Sequence, residues 1–303
     1  MLNNEQRSGE VLDQEFEEQR RRLDQLDRRR LKGKRYANVI PALNARDVVG
    51  QLSHFDGDWI FRGQKDVSWG LEPSIERCAS KGFWNPKESK AYQEFRDRAL
   101  AYKRDLPKLP NSDLAWLATM QHYGGPTRLL DWTEDPNVAA FFAVFDADRR
   151  TASAVWAINH TAITKESERL LSLAHRASDD NQHFGSTFFR ATWPPVVMHV
   201  NTSWPSKRQK KQKGLFLCSN QTQWEYSFET CLKNVLERRP KGERRWLCKI
   251  TIPPDARDDL LADLTERGVT YESLFPDLGG LGRSLKIIAS IQPDYITDCY
   301  PES

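Results

Sequence analysis

The sequence predicts an α+β fold, and three features carry that prediction. Short runs rich in Ile, Val, Trp and Phe read as strands at 58–63, 153–159, 195–200, 214–218, 246–252 and 285–291. Apolar residues at helical spacing cover roughly 87–104, 111–121, 138–147, 221–238 and 255–267. The two kinds of element are mixed without regular strand–helix–strand alternation, which disfavours a doubly wound parallel sheet. There is no internal repeat.

Composition places this fold in a charged, reducing setting. The 303 residues are 29% charged and 39% hydrophobic, with 10 Trp, 14 Phe and 8 Tyr to build a core. The five cysteines, Cys78, Cys218, Cys231, Cys248 and Cys299, are scattered without a C-x-x-C pair, so neither a disulfide framework nor a structural zinc is expected. The first residues lack the apolar core of a signal peptide, and no apolar run approaches the ~20 residues of a membrane helix. A cytoplasmic location without membrane contact follows as the expectation.

From the N-terminus onward, residues 4–31 read as one charged helix with a narrow stripe of Leu12, Phe16, Leu23 and Leu26, ended by Gly33. Residues 1–35 are therefore expected to form a helical arm, and 36–303 the globular domain. A stripe that thin cannot fold alone. It docks on the body, on a second copy or on another protein such as an antitoxin, chaperone or regulator; a solvated arm accounts for it equally well.

The formal net charge is only +3, yet nine basic residues fall between Arg20 and Arg35 and five within 207–213: Lys207, Arg208, Lys210, Lys211 and Lys213. Such clusters suit phosphate neutralisation, and they equally suit a solvated face. Residues 160–194, with His175 and His183, show no single period and read as an insertion or loop.

Common catalytic signatures are missing. There is no G-x-G-x-x-G, no phosphate-binding G-x-x-x-x-G-K-[ST], no H-E-x-x-H and no G-x-S-x-G, and the six histidines lack metal-ligand spacing. Two short segments, 59–64 and 121–133, hold the candidate chemistry. In the first, Arg62 ends an apolar strand and precedes Gly63, which permits close approach to the backbone. An arginine there is either a structural pair with an acid such as Asp131 or a fork for a phosphate or diphosphate. In the second, Gln121 to Thr133 concentrates polar and aromatic groups on a turn that feeds an apolar helix, with Thr133 or Asp135 as its cap. The neighbours of Trp132 are apolar, so its ring should be buried.

These segments resemble the FRG domain family, named for the motif that stands here as Phe61-Arg62-Gly63. The similarity covers W-I-F-R-G-Q, P-S-I-E-R at 73–77, Q-H-Y-G-G-P-T-R-L-L-D-W-T-x-x-P followed by A-A-F-F-A, Q-K-G-L-F at 212–216 and S-L-F-P-D-L-G-G-L at 273–281. Gly125 and Gly280 depart from the usual pattern. The FRG pattern is in turn similar to an ADP-ribosyltransferase fold, a split mixed β-sheet with surrounding helices that holds NAD in a cleft.

That resemblance implies an NAD-dependent ADP-ribosyltransferase, acting as an intracellular toxin or phage-defence effector, with NAD as substrate and no metal. Arg62, Gly63, Gln64, Tyr123, Arg128, Asp131, Trp132 and Thr133 would then bind NAD, with Thr133 orienting Arg62. The E-x-E that such enzymes place before a strand does not stand here. Gln212 is the first candidate for that position and Glu225 the second; with Gln212 there, His122 is the group to activate the acceptor. The basic run 207–213 and the arm Arg20–Arg35 favour a nucleic-acid acceptor, such as RNA, or else DNA, over a protein. The alternative is a non-catalytic nucleotide- or nucleic-acid-binding module held in a toxin–antitoxin type complex.

Overall fold

The computed structural model describes residues 37–78, 85–102, 106, 112–177, 194–200, 206–221, 226–243 and 246–290. The expected N-terminal arm, His183 and Glu225 lie outside them.

Seven strands form one mixed sheet with helices packed on it, the α+β class the sequence predicts. The strands are β1 (Asn38–Pro41), β2 (Trp59–Gln64), β3 (Leu130–Thr133), β4 (Ser153–Asn159), β5 (Val197–Val200), β6 (Gly214–Ser219) and β7 (Leu247–Ile252). Their order across the sheet is β1-β7-β4-β2-β3-β6-β5. β1 and β7 are parallel, and every other neighbouring pair is antiparallel. β4 is central and buried from Ser153 to Ile158, which is why it reads as an unbroken apolar run instead of an alternating one.

One joint in this sheet differs from the rest. β2 pairs with β4 over six residues, but with β3 through the single pair Phe61↔Thr133. Beyond that pair no further residues of β2 and β3 are in register, which leaves an opening in the hydrogen-bond ladder between the β1-β7-β4-β2 and β3-β6-β5 halves.

The apolar helix expected at 138–147 is α5 in chain order, Pro136–Val144, and it lies inside the protein as its composition requires. It is preceded by α1 (Ala45–Leu52), α2 (Ser74–Cys78), α3 (Asn85–Ala99) and α4 (Asp113–His122). Asp135 caps α5, accepting from Asn137 N at 3.0 Å, and Pro136 occupies the first turn, where its missing N–H is harmless. Phe141, Ala139 and Val144 pack with Phe61, Val155 and Ile250 of the sheet, Val48 and Leu52 of α1, and Leu260 and Leu264 of a later helix. A second cluster joins Tyr92 of α3 and Trp116, Leu117 and Met120 of α4 to Val200 and Phe216 on the other half of the sheet.

Gly63 sets how closely α5 approaches β2. A Cβ at this position would lie 2.0 Å from Ala139 O and 2.6 Å from Ala143 N, both helix backbone. The close approach that this glycine permits is thus made by the helix. Gly63→Ala must push α5 off the sheet, and a stability loss of about 3 kcal/mol or more is expected in chemical denaturation, the upper end for overpacking; a loss under about 1 kcal/mol would contradict this packing.

Several sequence expectations are corrected. Residues 285–291 do not form a strand: helix α11 (Leu278–Ser290), the last in the described chain, runs through 290. Asp277 starts that helix, its Oδ1 accepting from Gly280 N at 2.7 Å and its carbonyl from Leu281 N at 3.1 Å. The Ile287-Ile288 pair mimics a strand only in a short window. Residues 160–177 form an 18-residue helix, α6, rather than a loop. The remaining helices are α7 (Lys207–Lys211), α8 (Phe228–Leu236), α9 (Arg257–Glu266) and α10 (Tyr271–Leu274). β1 and β3, four residues each, were not anticipated. No helix among the described residues is long and apolar enough to cross a membrane.

Candidate functional site

Arg62 sits where the sheet opens. One residue past the Phe61↔Thr133 pair, its side chain spans from β2 to β3, and Nη1 donates to the Asp131 carbonyl at 2.7 Å. Of the two readings of this residue, the contact fits neither as stated: Asp131 holds it by backbone, while the carboxylate acts at longer range. Burial lowers the pKa of Arg62, the Asp131 carboxylate opposes that shift, and nearby Arg77 adds to it. Guanidinium remains charged through such shifts. Among the described residues, Arg62 Nε is buried without a hydrogen-bond partner, and so is the indole Nε1 of Trp132. By the strand register these two residues share one face of the sheet across the joint. A buried unmet donor costs ~1–3 kcal/mol, so two of them side by side mark a place that an acceptor would relieve.

The flanking residues of 59–64 hold structure. Gln64 is buried; its Nε2 donates to Gly70 O at 2.8 Å and its Oε1 accepts from Trp156 Nε1 at 2.7 Å. Both polar atoms of the Gln64 amide are thereby engaged within the fold, which gives it a structural role. Gly63, as shown, is a helix contact.

The 121–133 segment is likewise largely an internal scaffold. At the end of α4, Gly124 takes a φ of +84°, with Gly124 N bonded to Gln121 O and Gly125 N to Met120 O. This left-handed cap explains Gly124, while a Cβ at Gly125 would lie 2.4 Å from Met120 Cγ. Thr127 then receives the P-S-I-E-R segment: Ser74 Oγ accepts from Thr127 N at 2.9 Å, and Ile75 N donates to Thr127 O at 3.1 Å.

Arg128 is withdrawn altogether from the NAD-binding role. Both it and Glu88 are 0% exposed, with Arg128 Nε donating to Glu88 Oε2 at 2.7 Å, Nη2 to the same oxygen, and Arg128 N to Oε1 at 2.8 Å. Trp132 is buried, as its neighbours predict.

Thr133 does not orient Arg62. Its hydroxyl donates to Gln212 O at 2.6 Å and accepts from Asp135 N at 3.0 Å, which leaves Asp135 as the cap of α5. The Gln212-Lys213 turn clamps this corner. Glu134 N donates to Lys213 O, Lys213 Nζ reaches Asp135 Oδ2 at 3.0 Å, and Lys213 itself adopts a φ of 45°. The Gln212 amide donates to Leu274 O at 3.2 Å, which directs it toward α10 and away from the catalytic place expected for it.

Residues 57–152 match the family model for the FRG domain, a stretch that holds β2, the joint, β3 and α5. The chain carries an FRG domain. Neither a curated protein nor a solved structure matches the chain. In this FRG domain the three signature residues divide their work: Phe61 enters the core, Arg62 bridges the joint, and Gly63 admits the helix.

Beyond the matched range, α7 and α10 bring a second set of groups toward Asp131. Arg208 lies over the Phe275 ring, 4.2 Å from its centroid. Burial lowers its pKa, against the pull of Asp131, Tyr271 and Asp277. His122 is shifted down too, by burial first and then by Arg208, so the imidazole is neutral near pH 7. Its ring meets that of Tyr123 edge-on at 5.0 Å. Of the five basic residues expected to bind nucleic acid, Lys207, Lys210 and Lys211 are exposed, Lys213 is tied to Asp135, and Arg208 is half-buried over Phe275. Arg77, Phe275 and Asp277 were missed as neighbours of the site, although the P-S-I-E-R and S-L-F-P-D-L motifs contain them. Among the described residues no cluster of His, Cys, Asp and Glu is placed to hold a metal ion, and Cys78, Cys218, Cys231 and Cys248 are free thiols.

Glu76, two residues beyond the Thr127 contact, fastens α2 to α8. Its Oε1 accepts from Phe228 N at 2.8 Å. Burial pushes its pKa from 4.5 up to about 8; Glu72 and Glu229 reinforce the shift, while the Phe228 hydrogen bond and Arg77 oppose it. A carboxyl raised on folding favours the folded state fully below its unfolded pKa, and that contribution fades as pH rises to the folded one. Stability should therefore decline between about pH 5 and about pH 8 and flatten above. Glu76→Gln, which keeps the acceptor oxygen, should remove this decline from a series of melting curves; an unchanged pH profile would rule out Glu76 as its source.

Proposed function

We propose that the FRG domain binds NAD at the β2–β3 joint and transfers its ADP-ribosyl group to an acceptor. The observation that carries this reading is Arg62, a guanidinium in the opening of the sheet, fixed at Nη1 and unmet at Nε, beside the unmet Trp132 indole. A planar fork held at one corner suits the oxygens of a diphosphate, and Arg77 adds positive charge to the same neighbourhood.

In such a transfer the bond from the ribose C1′ to the nicotinamide nitrogen breaks, and nicotinamide leaves with the electron pair. The acceptor atom bonds to C1′ and gives up a proton. The chain's contribution is to position the two partners and to stabilise charge in the opening. Neutral His122 is the group suited to take the proton. Thr133 and Gln212 contribute indirectly, by fixing the β3–α5 corner on which Asp131 and Trp132 are carried.

A second reading has a specific observation behind it. The first candidate for the third element, Gln212, is an amide that cannot act as a general base, and it donates to Leu274 O, which favours a domain that binds a nucleotide without turning it over. Incubation with NAD separates the two. Nicotinamide release and label transfer, both lost in Arg62→Ala, support the transferase; NAD bound at Arg62 but left intact supports the binding module. The role as toxin or phage-defence effector belongs to the transferase reading. It predicts growth arrest on expression that Arg62→Ala relieves, and equal toxicity of both proteins would dismiss it.

A further inference from the structure

The Arg208 guanidinium has no hydrogen bond or ion pair among the described residues, although the residue is half-buried and its side chain lies over Phe275. Stacking on Phe275 accounts for the flat face of its guanidinium. It leaves the five N–H donors at the edge unused. The two carboxylates in electrostatic reach do not take them up: Asp277 Oδ1 accepts from Gly280 N, and Asp131 acts on Arg208 only at a distance. Phe275 is itself held firmly, stacked on Tyr271 at 4.2 Å between centroids and 7° from parallel. A guanidinium so braced, with its edge open, is prepared for an anion.

Its surroundings indicate which anion. On one side the three exposed lysines of α7 continue the positive charge outward. On the other, His122 is near enough for Arg208 to lower its pKa, and it leads to Tyr123, an aromatic ring that is 50% exposed. Cations alternating with an exposed aromatic ring are what single-stranded nucleic acid requires: phosphates take the cations, and an unpaired base stacks on the ring. A folded protein acceptor has no corresponding use for a stacking ring set beside a phosphate fork.

We propose that Arg208 receives a backbone phosphate of single-stranded nucleic acid, with Tyr123 stacking an adjacent base and the lysines of α7 taking the following phosphates. This strand is the acceptor in the transfer proposed above, and the assignment of that role rests on that reading. Asp131 connects the two places: its carbonyl accepts from Arg62, and its carboxylate lies in reach of both Arg62 and Arg208.

The test is equilibrium binding of fluorescein-labelled oligo-U and oligo-dT, with a duplex as control, to the full-length protein across a salt series. Wild type should bind the single strands, RNA or DNA, in preference to the duplex. Arg208→Ala should weaken binding at least tenfold and lower the salt slope by about 1, as expected for one lost phosphate contact. Tyr123→Ala should weaken it about tenfold while leaving the slope unchanged. Arg208→Gln retains a planar head over Phe275 and carries the same expectation as alanine, which separates lost charge from lost packing. Absence of single-strand binding by wild type, or wild-type affinity and salt slope in both Arg208 variants, would overturn the proposal. NAD binding measured on the same proteins should be lost in Arg62→Ala and kept in Arg208→Ala. Arg208-dependent strand binding without NAD turnover would remove the transferase and the acceptor role with it, and leave the nucleic-acid site standing.

Discussion

Glu88→Ala should be among the most destabilising single substitutions in this chain. It removes the carboxylate that Arg128 pairs with, at a position where both side chains are fully buried. Breaking a buried pair from one side costs about 3–5 kcal/mol, or a fall in melting temperature on the order of 10 °C for a domain of this size. Part of this cost also arises because the Arg128 backbone N–H loses Glu88 Oε1. The pair holds the loop entering β3 against α3, so the damage should spread to the joint that carries Arg62. Replacing both partners with apolar residues, Glu88→Leu with Arg128→Met, should recover a substantial share of the loss, since buried ion pairs often exchange for packed apolar groups at little net cost. A double-mutant cycle followed by urea denaturation measures this directly. A single variant within about 1 kcal/mol of wild type would show that the pair is not what anchors the loop.

Arg62→Ala should have the opposite profile, with a small effect on stability and a total one on ligand binding. The residue contributes one hydrogen bond to Asp131 O, a term of ~1 kcal/mol, and imposes a cost through its unmet Nε. The two nearly offset, so the melting temperature should move by only a few degrees. Arg62→Lys keeps the charge but not the planar fork, and should lose most of the binding as well. A variant that unfolds would make Arg62 a bridge between the two halves of the sheet and nothing more.

The sequence discloses the parts of this protein that rest on local chemistry. β2 and α5 are legible because an apolar strand ends in Arg62-Gly63 and because Asp135-Pro136 opens a helix apolar on every side. The burial of Trp132 follows from its neighbours. What stays hidden depends on pairing across distance. Arg128 reads as a ligand contact because its partner Glu88 lies 40 residues earlier, on a helix that gives no sign of a buried acid. Gln64 looks available until Trp156, 92 residues later, is brought against it. β3 has four residues among turn formers, and only its pairing with β6 makes it a strand. The motif at 121–133 was read as chemistry throughout, whereas most of it is a capped helix end and a docking point for Ser74.

Arg62 and Asp131 remain the centre of the candidate site, with a surrounding membership that the fold has changed. Gly63, Gln64, Arg128, Thr133 and Gln212 build the frame, while Trp132 shares the joint with Arg62.

Titration of NAD into wild type and Arg62→Ala, followed by calorimetry at low salt, tests the central claim most directly. A saturable heat of binding in wild type that disappears in a folded Arg62→Ala protein is the predicted result. Absence of binding in wild type, or equal binding in both, would mean that the opening between β2 and β3 is not the nucleotide site.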